Sequence, residues 1–516
     1  MAAVAYFYLP VYHELHVSTS YEYLEIPFDK AVRMLASLLF CVQMMLYMAI
    51  VVYAPALAHI QVTGFLSGVK YDVELACAII FIVCIFYTCI GGIKAVIWTD
   101  TFQAVIMFGS FLAIILVGNN AVGGAAVVFD INYQAKRVEF FKFDPDVRQH
   151  YTVWSTCIGS FFTWLSIYGT NQAQVQRYLT VKKKSQAVTA LWLNAIGLIV
   201  LTSLCGYAGM VVYAYYHDCD PIKSKQIRTQ DQIFPLFVMQ IMGDYPGIPG
   251  LFVAGVFSGA LSTVSSGLNA LAGVCLTDCL QLGCGIEISE EKKTLATKLL
   301  ALIFGILSFG LVFMVKYLPG VLQAAIAIFG IVGGPILGAF SLGMFVPFTN
   351  SIGAFTGMLF SLIFTFWMGF GQIIAKQTGN YNTTKFSPLI PSNTSVINCP
   401  THWLLNDTSL VQTESSPSSN FLHLGLYGVS NLWYGTISFI LCLMVGTIFS
   451  FSKPQDHKRL DARLISPGCH TFFFWMPKIM KKKIMKYYSE VGSEVVTDQK
   501  NGELFQMDGG INVAYK

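Results

Sequence analysis

The feature that most constrains this chain is residues 251–280, a stretch with no charged side chain before Asp278. About 20 apolar residues suffice for a helix to cross a bilayer, and LFVAGVFSGALSTVSSGLNALAGVCLTDCL exceeds that length. Its middle is polar in a patterned way. On a helix, Gly259, Ser262, Thr263 and Ser266 fall at i, i+3, i+4 and i+7, so one face carries hydroxyls beside a glycine carbonyl. Two readings fit. Hydroxyl and carbonyl oxygens are hard ligands that suit an alkali cation without committing a full charge to hydrocarbon. The same small residues also make a seam along which two helices approach closely.

The rest of the chain repeats the theme. With 55% hydrophobic and only 12% charged residues, it reads as an all-α polytopic membrane protein. Candidate spans are 31–57, 75–91, 95–117, 153–176, 186–214, 251–280, 299–315, 321–346, 351–373 and 428–451. Residues 1–452 form the membrane domain and 453–516 a polar tail. A net charge of +4 over this length gives no sign of nucleic-acid binding. The opening MAAVAYFYLP is only half a span and no signal peptide, which predicts that more chain precedes Met1.

Basic residues set the expected orientation. Arg177 to Lys184, then Lys292, Lys293 and Lys298, then the tail lysines Lys478, Lys481, Lys482, Lys483 and Lys486 belong on one side, the cytoplasmic one by the positive-inside rule. The opposite side receives the loop 376–426, whose Asn382, Asn393 and Asn406 each begin an N-x-S/T sequon. The chain is thus expected to be a glycosylated plasma-membrane protein with a cytoplasmic carboxyl end. Cys219 and Cys399 both fall in outer loops, where a disulfide is chemically permitted. No histidine lies within these spans and no lysine or arginine sits mid-span, which argues against proton relay and against an arginine clamp on an anion.

Asp100 opens the span 95–117, and a carboxylate at mid-bilayer costs at least ~2.5 kcal/mol. It is either a functional group, sharing a helix face with Gln103, or a first-turn acid at the membrane surface near Lys94. The span 153–176 contains Gly159 and Gly169, with Trp164 and Tyr168 flanking Ser166, Thr170, Asn171 and Gln172. It is either a kinked packing helix or a broken one that exposes backbone groups to a bound solute. Gln43 and Tyr47 share a face of the first span, and Gln323 opens the span 321–346. As isolated residues in a bundle, tyrosine and glutamine are more often interhelical glue than ligands. No nucleophile and base pair and no metal-ligand cluster is visible within the spans, so nothing here points to an enzyme.

The strings SGALSTVSSGLNALAGV, GGIKAVIWTDTFQ and WLSIYGTNQAQVQRY resemble the eighth, fifth and sixth core helices of the sodium/solute symporter family. The last is similar to its monocarboxylate, multivitamin and iodide branch. The resemblance implies an inverted-repeat bundle of the leucine-transporter (LeuT) type, lacking its first core helix and part of the second. It implies a sodium site at the Gly259 carbonyl, Ser262 and Thr263, with Asp100 and Gln103 in that site or on its inward exit path. By the same resemblance, Gln43, Tyr47, Trp164, Tyr168, Gln172 and Gln323 border the solute. The partners it implies are sodium as co-transported ion, a small solute and the lipid bilayer. A small organic carboxylate is the preferred solute, with biotin, pantothenate or iodide as alternatives. Lacking one core helix, the chain as written is expected not to transport, leaving regulation of a longer form as the other reading.

Overall fold

The computed structural model describes residues 1–377, 425–451 and 464–466, apart from residues 16, 68–71, 182, 228, 246, 319 and 347. The three sequons, Cys399 and almost all of the tail from residue 453 lie outside the described residues. Cys219 takes part in a disulfide.

Hydrocarbon offers backbone groups no hydrogen-bond partner, and among the described residues the regular structure is helix throughout. A π-helical turn, Val4–Tyr8, leads into the short helices α1 (Leu9–Leu15) and α2 (Glu22–Glu25). Then come α3 (Lys30–Ser67), α4 (Val73–Val122) and α5 (Ala125–Gln134). The helices α6 (Ser160–Gly169) and α7 (Gln172–Leu179) are followed by α8 (Lys184–Tyr215) and α9 (Ile233–Met242). The bundle is completed by α10 (Ile248–Val274), α11 (Glu290–Val315), α12 (Val321–Phe345), α13 (Ser351–Gln377) and α14 (Tyr434–Ser450).

Among the described residues, nine helical stretches are long and apolar enough to cross a membrane. They match nine of the ten expected spans. The tenth, 153–176, is cut into α6 and α7, and neither half is long enough alone. Four short helices, α1, α2, α5 and α9, lie outside the expected spans. The helix α3 continues ten residues beyond the expected end at Leu57, with Pro55 accommodated inside it. This corrects the expectation that no histidine lies in a span: His59 sits in α3, edge-on to Phe257. Its polar neighbours Gln61 and Thr63 lower the local hydropathy, and helical hydrogen bonding carries on past them.

With 50 residues, α4 would be ~75 Å long if straight, more than twice the hydrocarbon thickness. Its contacts show that it is bent. Glu74 pairs with Lys316 and Cys89 reaches the Lys298 carbonyl, so its first part runs antiparallel to α11. Beyond Val96 its partner is α10, where Arg177 bridges Asp100 to Ser266 and Ser110 abuts Gly255. Tyr87 donates to the Leu261 carbonyl at 2.8 Å. Between Tyr87 and Ser110 a straight helix would advance ~34 Å, whereas their partners on α10 are ~9 Å apart. The chain therefore turns between Cys89 and Val96, and the two expected spans 75–91 and 95–117 are its two arms.

Small residues set how closely the helices approach. A Cβ on Gly255 would sit 2.0 Å from the Ser110 Oγ, and one on Gly338 would sit 2.5 Å from the Cys442 Cβ. The seam reading of the 251–280 stretch thus holds at Gly255, where α10 lies against α4. One turn on, a Cβ at Gly259 would meet only the Met107 Sδ, at 3.7 Å. Gly255→Val should therefore cost about 1–3 kcal/mol by overpacking, while Gly259→Ala leaves stability nearly unchanged. Thermal unfolding of the two variants in detergent checks this, and equal melting temperatures would contradict the close approach at Gly255.

Candidate functional site

The break between α6 and α7 is the one place where a membrane-depth helix stops and restarts among the described residues. The Ser166 carbonyl accepts from the backbone nitrogens of both Thr170 (3.1 Å) and Asn171 (3.2 Å), which tightens and ends α6. Asn171 then caps α7, its Oδ1 accepting from the Ala173 backbone nitrogen at 2.9 Å. The carbonyls left over are taken by side chains from the start of the chain. Tyr12 donates to the Gly169 carbonyl at 2.8 Å, and Ser20 Oγ reaches the Thr170 carbonyl at 3.3 Å. Gln172 accepts from the Ser20 backbone nitrogen at 2.6 Å, so its amide braces the break.

Above the break, three helices bring polar groups together. Ser166 on α6 donates to the Gly333 carbonyl on α12 at 2.9 Å. A Cβ on Gly333 would meet the Ser166 Oγ at 2.4 Å and the Gln43 Nε2 at 3.3 Å, so Gln43 on α3 reaches the same spot. The Gln43 Nε2 is buried and has no hydrogen-bond partner among the described residues. Tyr47, one turn along α3, packs edge-on to Phe329 of α12 at 4.6 Å and lies close to Tyr168. Trp164 stacks on Tyr168 at 6.1 Å but is 52% exposed, on the outer side of that ring. Gln323 sits in the first turn of α12, six residues before Phe329, where Asn431 donates to its carbonyl. Of the six residues expected to border a solute, Gln43, Tyr47 and Tyr168 are thus brought together. Gln172 is engaged at the break, and Trp164 and Gln323 lie to either side. Ser166 and Gly333 belong to the cluster; Ser166 stood in the polar patch read from the sequence, whereas Gly333 carried no such signal.

The second cluster lies between α10, the second arm of α4 and α7. Thr263 donates to the Gly259 carbonyl at 3.0 Å, so those two expected oxygens are neighbours. Ser262 faces the Asp100 carboxylate without hydrogen-bond geometry. The Asp100 Oδ1 and the Gln103 Oε1 are both buried without a partner among the described residues. Asp100 Oδ2 is held at 2.6 Å by the Arg177 guanidinium, which also donates to Ser266 at 2.5 Å. Arg177 looked like part of a solvated basic loop, but it closes α7 and turns inward, which only the fold reveals.

A third polar centre was not foreseen. Asp278, fully buried in the π-helical turn Cys275–Gly283 that ends α10, is the most deeply enclosed acid among the described residues. Arg33 binds it through both Nε, at 3.1 Å, and Nη2, while Ser37 donates at 2.6 Å and Thr277 at 3.0 Å. Arg33 also pairs with Glu25 at 2.7 Å. The acid that closes the long uncharged run was the available signal, and its need for a buried partner was the inference to draw.

This bundle, with a broken helix and a hydroxyl-bearing helix beside it, invites comparison with known transporters. The family model described as "Sodium:solute symporter family" matches residues 1–361. The chain belongs to the sodium:solute symporter family. Human sodium-coupled monocarboxylate transporter 1 is 38% identical over 473 residues, covering 89% of this chain and 74% of that relative. A putative sodium-dependent multivitamin transporter of Drosophila melanogaster is 39% identical over 490 residues, covering 93% and 77%. Among solved structures, a substrate-bound, outward-open Na+-coupled sialic acid symporter superimposes with a TM-score of 0.66 at 24% identity, covering 88% of this chain and 82% of that one. The fold is therefore the LeuT-type bundle of these symporters, and the chain is a membrane transporter that moves a small solute with sodium as the co-transported ion.

Removing one partner of a buried ion pair leaves the other uncompensated, typically at a cost of about 3–5 kcal/mol. Asp278→Asn in this symporter should therefore lose most of its folded yield, and Arg33→Met combined with Asp278→Leu should recover part of it. Size-exclusion profiles and melting temperatures of the two variants test this. A wild-type profile for Asp278→Asn would show that the pair contributes little.

Proposed function

We propose that this symporter carries a small monocarboxylate, with its solute site at Gln43, Tyr47, Ser166 and Tyr168 beside the α6–α7 break. Trp164, Gln172 and Gln323 form the outer boundary of that site. The observation that carries the reading is the buried, unpartnered Gln43 Nε2 next to the Ser166 hydroxyl. An unpaired buried donor costs about 1–3 kcal/mol, and a carboxylate oxygen is an acceptor that would satisfy it. No cation is among the residues of this cluster, so the solute's charge is balanced by sodium. The Gly259 carbonyl and the Ser262 and Thr263 hydroxyls supply sodium ligands, with Asp100 and Gln103 on its inward side. Each sodium ion crossing the membrane field contributes about 2.3 kcal/mol per 100 mV.

The relatives named for monocarboxylates support this solute class, and the relative named for vitamins makes biotin and pantothenate, which also bear a carboxylate, the next candidates. In the plasma membrane, the basic loops and the tail face the cytoplasm, and the loop 376–426 faces outward with Asn382, Asn393 and Asn406 open to glycosylation. Loss of apparent mass on glycosidase treatment checks that side assignment.

Uptake of labelled lactate, biotin and iodide into cells expressing the protein, in sodium or in choline, tests the solute. Sodium-dependent, saturable lactate uptake is the outcome of this reading, and its absence from protein that reaches the cell surface would instead favour the regulatory reading. Gln43→Leu should raise the lactate KM about tenfold, the loss of one hydrogen bond to a charged group. Gly333→Ala should raise it as well, by pressing on Ser166 and Gln43. Saturable biotin or iodide uptake without lactate uptake would overturn the solute class. Uptake indifferent to sodium would overturn the sodium assignment.

A further inference from the structure

One buried carboxylate near the end of α7 has only one of its two oxygens answered. Asp100 lies between α10 and α7 with one oxygen on the Arg177 guanidinium at 2.6 Å and the other buried without a partner among the described residues. The same guanidinium nitrogen donates to Ser266 at 2.5 Å, so Arg177 occupies a hydroxyl and a carboxylate that are both oxygen ligands. Beside them, the Gln103 carbonyl oxygen is buried without a partner among the described residues, and Ser262 faces Asp100. Oxygens that point inward with nothing to accept from or bind are what remains when a ligand set is only partly filled.

Arg177 is itself placed to leave. Its side chain is 39% exposed against 16% for Asp100, and it lines a narrow cleft with Val96, Ala173, Thr180 and Asn269. A guanidinium withdrawn into that cleft regains water, whereas the acid it leaves behind needs another cation.

We propose that Arg177 is a positioning residue that acts as a tethered stand-in cation. It neutralises Asp100 when sodium is absent from that carboxylate and must be displaced for sodium to bind there. Sodium and the guanidinium cannot share the Asp100 and Ser266 oxygens, because two like charges a few ångströms apart repel and each needs the same lone pairs. Arg177 therefore weakens sodium binding on the inward side, which favours release of the ion. It also keeps the acid from standing unpaired once the ion has gone. This rests on the assignment of Asp100 to the sodium path.

The test reads sodium binding without transport, as the sodium concentration that half-saturates the thermal stabilisation of the purified protein, with choline as the control salt. Arg177→Gln should half-saturate at a sodium concentration at least about threefold below the wild-type value, the scale of one partly exposed ion pair. Arg177→Lys, which keeps the charge, should stay close to wild type. If Arg177→Gln fails to fold, Arg177→Cys gives the same reading through chemical rescue. Modification with a positively charged methanethiosulfonate should move its half-saturation back up, and a neutral one of similar size should not, with treated wild-type protein correcting for the native cysteines. An unchanged or higher half-saturation in Arg177→Gln, or equal effects of the charged and neutral reagents, would overturn the proposal. Asp100→Asn separates the two ideas. If it leaves the sodium response intact, the assignment of Asp100 to the sodium path fails. If it alters the response while Arg177→Gln does not, only the role of Arg177 fails.

Discussion

A bilayer interior supplies no hydrogen-bond partners, so every carbonyl and amide at that depth must be answered from within the protein. Unbroken helices meet this demand without help. The break between α6 and α7 does not, and the organisation of the amino-terminal segment follows from it. Tyr12, Ser20 and the backbone nitrogen of Ser20 close on the Gly169 carbonyl, the Thr170 carbonyl and the Gln172 amide. With those groups satisfied, the Gln43 amide nitrogen beside Ser166 is among the buried donors still unanswered within the described residues.

The same constraint applied to charge separates two buried acids. Asp278 is surrounded by Arg33, Ser37 and Thr277 and is fully enclosed, which suits a permanent joint between the end of α10 and the start of α3. Asp100 has one strong partner, one unpartnered oxygen and a partly exposed arginine. A complete shell stabilises a fixed arrangement, whereas an incomplete one leaves a buried oxygen unanswered. The stripe on α10 divides in the same way. At Gly255 it is a packing seam against Ser110, and at Ser262 and Ser266 it presents hydroxyls to the Asp100–Arg177 pair.

Much of this was legible beforehand because hydrocarbon imposes a coarse and local rule. Run length and apolarity were enough for nine of the spans, and the glycines and polar patch of 153–176 raised the possibility of a break. The spacing of Gly259, Ser262, Thr263 and Ser266 placed their oxygens on one face, since helical periodicity is a property of the chain alone. The strings around Asp100, Tyr168 and Ser262 carried the resemblance to the symporter family that the comparisons bear out.

What the sequence could not decide is which polar groups meet. Arg177 reads as one more basic residue in a loop until α7 is seen to end beside α10. Arg33 and Asp278 are 245 residues apart, and no local pattern pairs them. Gly333 has no side chain to signal a role and matters because α12 brings its carbonyl to Ser166 and leaves room for Gln43. Membrane insertion depends on sums over neighbouring residues, so the sequence by itself determined where nine membrane-length helical stretches lie. Pairing of charges and unpartnered donors depends on contacts across the bundle, and that was decided only by the tertiary structure.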